Sequence, residues 1–436
     1  MARPSQSTGA EGVPPREAAA EIVRLLRDAG YAALFAGGCV RDELLGLHPL
    51  DYDVATSARP DDIQKIFPKA SQVGAAFGVM IVRKHGVTVE VATFRADGPY
   101  SDKRRPDSIV FADEKADARR RDFTINALFL DPFKPSHDPG RVIDFVGGVA
   151  DLRAGVVRAV GDPNARLDED HLRALRAVRF ATRLGFAIED ATAAAIRAHA
   201  SQLQGVSRER IGDEIRLMLA RPSRAASMQR LCELTLDTPV FDRPADPESP
   251  ASAGLHPTLG GVPEPLDVAG ALAGVLIDRW SPDLIARTPK GAGARLEALR
   301  VTRRALCLSN DERDDCLETL SCLAEMRHGW AELPVAGRKR LAAGRRFASA
   351  MPILRSIQSE AAGVIEADVR ALSGQHGGLS PEAWVNGDML VTAGLRPGPR
   401  FKRILEQVYD AQLEGRVRSR DDALTLALEL GRGSGV

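Results

Sequence analysis

Strand-like patterning in this chain ends near Asp151, and from Glu169 onward the signal is almost entirely helical. Short β-rich runs, Ala32–Ala36, Asp51–Val54, Val79–Val82, Val87–Phe94 and Val142–Phe145, are separated by Gly, Pro and Asp. Glu17 to Asp28 precedes them with Ala, Ile, Val and Leu at helical spacing, and long Ala/Leu/Arg-rich stretches follow through Ala220. The pattern predicts an α+β first part and a helical remainder. At about 100 to 200 residues per domain, 436 residues allow two to four domains.

Two breaks divide the helical part. Leu236–Pro265 is crowded with prolines (Pro239, Pro244, Pro247, Pro250, Pro257, Pro263, Pro265) and predicts a long loop or linker. Leu372–Pro381, with Gly374, Gly377 and Gly378, sets off a C-terminal helical piece. The expected domains are a disordered 1–14, a head over 15–155, a helical neck over 156–235, a helical body over 236–372 and a helical tail over 373–436. Hydrophobic residues make up 44% of the chain and charged ones 27%, enough for a buried core. No run approaches the ~18 to 20 apolar residues of a membrane span, and Met1–Pro15 lacks the apolar stretch of a signal peptide, so a cytoplasmic protein without a membrane partner is expected. The five cysteines show neither CxxC pairs nor a neighbouring histidine pattern and read as free thiols. Lys plus Arg (59) equals Asp plus Glu (59), so a nucleic-acid partner would be held by local basic faces.

Asp51 and Asp53 lie one residue apart in LDYDVAT, where strand alternation sends both carboxylates to one face and Tyr52 and Val54 to the other. Glu90, in VTVEVATFR, projects away from Val89 and Val91 and offers a third carboxylate from a neighbouring strand. Such hard oxygen ligands suit Mg2+ ions that clamp an in-line phosphoryl displacement; the plainer reading is a solvated strand end. Upstream, Ala32–Ala36 reads as a strand, Gly37 and Gly38 as a tight turn, and Val40–Leu45 as a short helix with Arg41 in its first turn, a layout suited to a triphosphate or simply to a surface turn. Arg119–Leu128 (RRRDFTINAL) places Arg121 and Asp122 before an expected apolar helix, so Asp122 reads as an N-cap or as a ribose acceptor with Arg121 on phosphate. Glu169–Leu184 (EDHLRALRAVRFATRL), read as one helix, puts Glu169, Arg173, Arg176, Arg179 and Arg183 on one side, with Asp170 outside the margin and Leu172 and Phe180 as apolar intruders. That face reads as an ion-pair network or as an Asp/Arg pair presented to a nucleobase edge.

In this order GGCVRD, DYDVAT, EVATFR, RRDFTINA, DFVGGVADL, EDHLRALRAVRF and SRERIGDEI resemble the class II tRNA nucleotidyltransferase and bacterial poly(A) polymerase family, over about residues 30 to 220. The resemblance implies a polymerase-β-type nucleotidyltransferase head followed by all-helical neck, body and tail. It implies Asp51, Asp53 and Glu90 as metal carboxylates for Mg2+, Gly37, Gly38 and Arg41 at the triphosphate, and Arg121 with Asp122 on the nucleotide. Asp170 and Arg173, supported by Glu169 and Arg176, would select CTP or ATP without a template. The expected reaction is addition of CCA to the 3′ end of tRNA; poly(A) or A-only addition is the alternative. Val73–Gly78 lacks the basic pair usual in the poly(A) branch, and Arg95–Asp117, with Lys103, Arg104, Arg105 and Pro106, retains a loop that CC-only enzymes lack, which favours full CCA addition. Many relatives carry a metal-dependent HD phosphohydrolase module after the neck, but no His immediately precedes Asp278 here, so the body is expected to be structural. Arg400, Lys402 and Arg403, after the Gly398 turn, read either as contacts to RNA phosphates or as a solvated helix start.

Overall fold

The computed structural model describes residues 13–72, 78–98, 108–262, 266–375 and 377–432. The expected disordered stretch 1–14, apart from its last two residues, lies outside the described residues, as do Val73–Phe77 and Lys103–Pro106. The chain forms two compact units, one running to Glu214 and including Leu234–Pro239, the other made of Ile215–Glu233 and the chain from Val240 onward.

The first unit is built on a seven-stranded sheet of β1 (Ala33–Ala36), β2 (Asp53–Thr56), β3 (Ser71–Gln72), β4 (Val79–Lys84), β5 (Val87–Thr93), β6 (Leu128–Leu130) and β7 (Val142–Asp144). Their spatial order is β3-β4-β5-β2-β1-β6-β7. Only β2 and β5 pair in parallel, with Val54 opposite Val91, Ala55 opposite Ala92 and Thr56 opposite Thr93; the other pairs are antiparallel. The β-rich runs read from the sequence fall on these strands. Helix α1 (Pro15–Asp28) starts on a proline, where no amide partner is lost, and buries Ala18, Ala19, Ile22, Val23 and Leu26 at i, i+3, i+4 spacing. Within the core, Phe94 and Phe129 meet edge to face with centroids 5.8 Å apart.

Two local expectations are corrected. The apolar helix expected after Asp122 is a single 3-10 turn, Thr124–Asn126, followed at once by β6, because Phe129 and Leu130 pair with Ala36 and Phe35 of β1. The expected loop Leu236–Pro265 contains short helical turns at Asp237–Phe241, Pro250–Ala253 and Pro257–Gly260 among its described residues. Prolines open the second and third of these turns.

The regular elements among the second unit's described residues are all helices. Val268–Arg279 is buried on nearly every side and runs beside Asn310–His328, which opens on a capping box between Ser309 and Glu312. Further on, Arg400–Leu413 and Arg420–Arg432 share an apolar cluster that includes Leu390, Ile404, Val408 and Ala423.

Candidate active site

The parallel register of β2 and β5 builds the carboxylate face. One step before the Val54–Val91 pair stand Asp53 and Glu90, both exposed, while Val54, Val89 and Val91 are buried. Adjacent strands in register send equivalent side chains to the same face, so Asp53 and Glu90 are neighbours across the ladder. Asp51 is exposed two residues earlier, and Tyr52 turns inward, its hydroxyl donating to Glu43 at 2.9 Å and its ring 5.0 Å from Phe35. Strand alternation therefore keeps the two aspartates on the solvent side.

Next to β1, Gly37 takes a φ of +76°, and a Cβ there would stand 2.8 Å from Arg121 Nη1. Both facts require glycine: the left-handed backbone and the guanidinium seated against it. Arg121 donates to the Asn126 carbonyl at 3.0 Å and, through Nη2, to Asp117 at 2.9 Å. Burial opposes charge on Asp117, yet Arg121 and Arg120 outweigh it and hold the carboxyl below its ordinary range. Arg41 lies 2% exposed in the short helix α2 (Gly38–Leu44), donating to Asp42 Oδ1 at 2.8 Å and Asn126 Oδ1 at 2.5 Å. Burial draws its pKa down from the usual arginine value, with Asp42 opposing. The Arg41 guanidinium is thus part of an internal network, and the exposed arginine of the plainer sequence reading is not observed.

The arginine face converges on Phe180. Helix α4 (Arg173–Leu184, following α3 at Pro163–Glu169) buries Ala174, Leu175, Ala177, Val178 and Ala181, as the periodicity predicts. Phe180, an intruder on the polar side by sequence, is 6% exposed, with the guanidinium carbons of Arg179, Arg41 and Arg176 at 4.5, 5.0 and 5.2 Å from its ring centroid. It also meets Phe123 edge-on at 6.0 Å. A ring face that gathers three cations needs counter-charges, and the carboxylates supply them. Arg176 Nε donates to Asp122 at 2.8 Å, Arg179 Nε to Glu214 at 2.6 Å, and Arg183 Nη2 to Asp42 at 2.7 Å. Asp122 also accepts from the Phe123 amide and from Asn126 Nδ2. Desolvation would raise its pKa, but Arg176 and Asn126 bring it down to about 2.

Glu169 and Asp170 do not share the helix with Arg173. Helix α3 ends at Glu169, Asp170 is extended (φ −157°, ψ 104°), and α4 starts at Arg173. The break follows from Asp170 itself, whose Oδ1 accepts from the Leu172 amide at 3.1 Å, a side-chain bond that competes with helix continuation. Asp170 is then gripped by Arg210, with Nη2 at 2.6 Å from Oδ2 and Nη1 at 3.1 Å from Oδ1. Arg173 Nη1 pairs with Glu169 and donates to the Arg166 carbonyl at 2.7 Å. Arg173 therefore lies beside Asp170 through the turn, and the intrahelical Asp170/Arg173 pair of the sequence reading is replaced by an Arg210 fork. Arg210, Glu214, Asp42 and Asn126 were missed as site residues; the stretches SRERIGDEI, GGCVRD and RRDFTINA contain them, but nothing in those stretches shows which far element they reach.

In the second unit Asp278, 1% exposed, accepts from the amides of Thr258 and Leu259 at 3.1 and 3.4 Å, which makes it a helix cap. Burial lifts its pKa to about 6 and lowers that of His256, 3.8 Å away, to about 4. Arg400, Lys402 and Arg403 are exposed on the first turn of Arg400–Leu413. No described helix is long and apolar enough to cross a membrane.

Residues 33–158 match the family described as the poly A polymerase head domain, and residues 185–246 match one described as a probable RNA and SrmB-binding site of polymerase A. A CCA-adding enzyme of Geobacillus thermodenitrificans is 43% identical over 226 residues, 52% of this chain and 54% of that protein, so the match spans about half the length of that relative. A CCA-adding enzyme of Limosilactobacillus fermentum is 33% identical over 404 residues, covering 92% of this chain and 93% of its own. Among solved structures, the Bacillus stearothermophilus CCA-adding enzyme in complex with CTP superposes with a TM-score of 0.69 at 29% identity, over 97% of this chain and 98% of that one.

Proposed function

This chain belongs to the CCA-adding enzyme family, and we propose that it adds C, C and A to the 3′ end of tRNA from CTP and ATP, releasing pyrophosphate. The observation that carries the reading is the alignment of Asp53 with Glu90 across parallel β2 and β5, with Asp51 two residues away on the same side. Three exposed carboxylates from adjoining backbone are hard oxygen donors and fit a divalent ion such as Mg2+, which they would hold and which supplies electrostatic stabilisation of a reacting phosphate. The terminal 3′-hydroxyl of the tRNA attacks the α-phosphate in line, and catalysis is mostly positioning and charge. The turn at Gly37 and Gly38 admits the triphosphate close to backbone, while Arg41, Arg121 and Asp122 shape the nucleotide pocket around the Phe180 network.

Base choice falls to Asp170 and Arg173. A carboxylate offers about four acceptor sites, and Arg210 and the Leu172 amide use three of them, leaving one for an exocyclic amine. Cytosine and adenine both present such an amine; uracil does not. Arg173 adds guanidinium donors for ring nitrogens or carbonyls, held by Glu169. In the division we propose, the head (15–155) and neck (156–235) carry the chemistry, the body (236–372) is a scaffold, and the tail (373–436), with Arg400, Lys402 and Arg403, meets the tRNA in the cytoplasm. An A-form helix shows a protein its phosphates and 2′-hydroxyls more readily than its base edges, so the tRNA would be read by shape.

The test is incubation with tRNA lacking its last three, two or one nucleotides, with CTP or ATP supplied separately. Two C additions and one terminal A, abolished by Asp53→Ala without loss of fold, are expected. Repeated A addition to unstructured RNA as efficiently as to tRNA would instead assign the chain to the poly(A) branch.

A further inference from the structure

Away from the carboxylate strands, three side chains converge at the break between α3 and α4. Asp168 comes from the last turn of α3, His171 from the break, and His199 closes helix α5 (Asp190–His199). One ligand atom from each lies within 4.8 Å of the other two. His199 Nδ1 stands 3.5 Å from Asp168 Oδ1, and the two imidazole rings are 5.8 Å apart at their centroids, inclined by 31°.

The hydrogen bonds around His199 point to one tautomer. Its Nε2 faces Asn164 Oδ1 at 3.2 Å, and the carbonyl oxygen of an amide only accepts, so Nε2 carries the proton. In the neutral ring Nδ1 then carries the lone pair, the side that Gln202 Nε2 approaches at 3.4 Å. This lone pair and the Asp168 carboxylate face each other at 3.5 Å, an arrangement that a cation between them, either a metal ion or a proton on Nδ1, would join. Bonds of about 2.0 to 2.1 Å in a tetrahedron place neighbouring ligand atoms roughly 3.4 Å apart, close to this separation. Asn164 is the outer hydrogen-bond partner that orients a metal-ligating histidine. Mixed imidazole and carboxylate ligation suits zinc-class ions, whereas Mg2+ favours oxygen throughout. His171 is 3% exposed and forms the inner wall; the Asp168 side chain is 57% exposed, giving an ion its way in and the carboxylate room to turn.

We propose that Asp168, His171 and His199 form a binding site for a zinc-class divalent ion with solvent in the fourth position. Glu169 and Asp170 lie between Asp168 and His171 in the chain, so an ion there fastens the backbone that carries Asp170 to the end of α5. The site is distinct in residues and ligand chemistry from Asp51, Asp53 and Glu90.

The test uses chelator-stripped full-length protein in excess Mg2+, titrated with Co2+ and with Zn2+, read by the visible absorption of bound Co2+, by equilibrium dialysis and by thermal melting. One equivalent should bind in the wild type and in Asp53→Ala, with a higher melting midpoint in Zn2+. Asp168→Asn and His199→Gln should each weaken binding more than tenfold and lose the thermal response. Asn164→Ala should weaken it by about 10- to 100-fold, as loss of an outer-shell partner does. Asp168 is exposed enough for its variant to fold, which circular dichroism checks. Absence of uptake, uptake abolished by Asp53→Ala, or uptake unchanged in both Asp168→Asn and His199→Gln overturns the proposal.

Discussion

Replacing Phe180 with leucine separates two roles that the structure places on one ring: filling space and gathering cations. Leucine keeps most of the apolar volume at a position only 6% exposed but has no π face for Arg179, Arg41 and Arg176 at 4.5 to 5.2 Å. At about 0.5 to 1 kcal/mol per partly exposed cation–π contact, three contacts amount to roughly 1.5 to 3 kcal/mol. The missing ring carbons add about 1 kcal/mol of cavity cost. Phe180→Leu should therefore destabilise the first unit by about 2.5 to 4 kcal/mol, measured by denaturant unfolding followed with a probe in that unit. Phe180→Tyr, which keeps the face, should cost far less. Because the same guanidiniums orient Asp122, Glu214 and Asp42, the leucine variant should also lose kcat/KM for CTP and ATP at a temperature where it remains folded. A Phe180→Leu protein no less stable than Phe180→Tyr, with wild-type incorporation, would refute the hub assignment.

Gly148→Ala would set a Cβ 2.1 Å from the Thr124 carbonyl oxygen, so the melting midpoint should fall by the equivalent of about 1 to 3 kcal/mol or more; an unchanged melt contradicts the packing. Asp122, with a folded pKa of about 2 against roughly 3.9 in an unfolded chain, contributes stability that is complete above pH ~4 and lost as pH falls through ~2, some 2 to 3 kcal/mol; Asp122→Asn should flatten that acid limb in a pH series of unfolding curves. Asp170→Ala and Arg210→Ala should each reduce discrimination of CTP and ATP against UTP and GTP by roughly ten- to a hundredfold, since losing one partner of a hydrogen-bonded charged pair costs about 1 to 3 kcal/mol. Nucleotide ratios unchanged from the wild type in both variants would remove this turn from base selection.

What the sequence disclosed was local and periodic. Alternation placed Asp51 and Asp53 on one face and Tyr52 inside, and the structure keeps that arrangement because Tyr52 finds Phe35 and Glu43. Helical spacing gave most of the buried side of α4, Ala174, Leu175, Ala177, Val178 and Ala181, but not Phe180. Both signals are repeated several times within a few residues, so tertiary context has little to override. Asp170 shows the opposite case. Glu169–Leu184 reads as one helix despite Asp170 outside its margin, yet one side-chain bond to the Leu172 amide and a fork from Arg210, forty residues on, turn the chain out of the helix. Likewise FTINALFL carries an apolar run that helix and strand share, and only pairing with β1 decided for strand.

The arginines make the same point for chemistry. From spacing alone Arg176, Arg179 and Arg183 lie on one stripe that reads as an ion-pair network or as a face turned to a nucleobase edge. Their partners, Asp122, Glu214 and Asp42, come from three separate segments, and Phe180, which broke the stripe, is the residue on which Arg176 and Arg179 meet Arg41. An apolar residue on a charged face costs burial unless it is covered, and here arginine side chains cover it, since a guanidinium is weakly hydrated and stacks on aromatic faces. A site built in this way has its cations fixed before substrate arrives. Arg41, paired with Asp42 and Asn126, is part of that rigid wall, and in the proposed function a nucleotide would meet side chains already fixed by the fold.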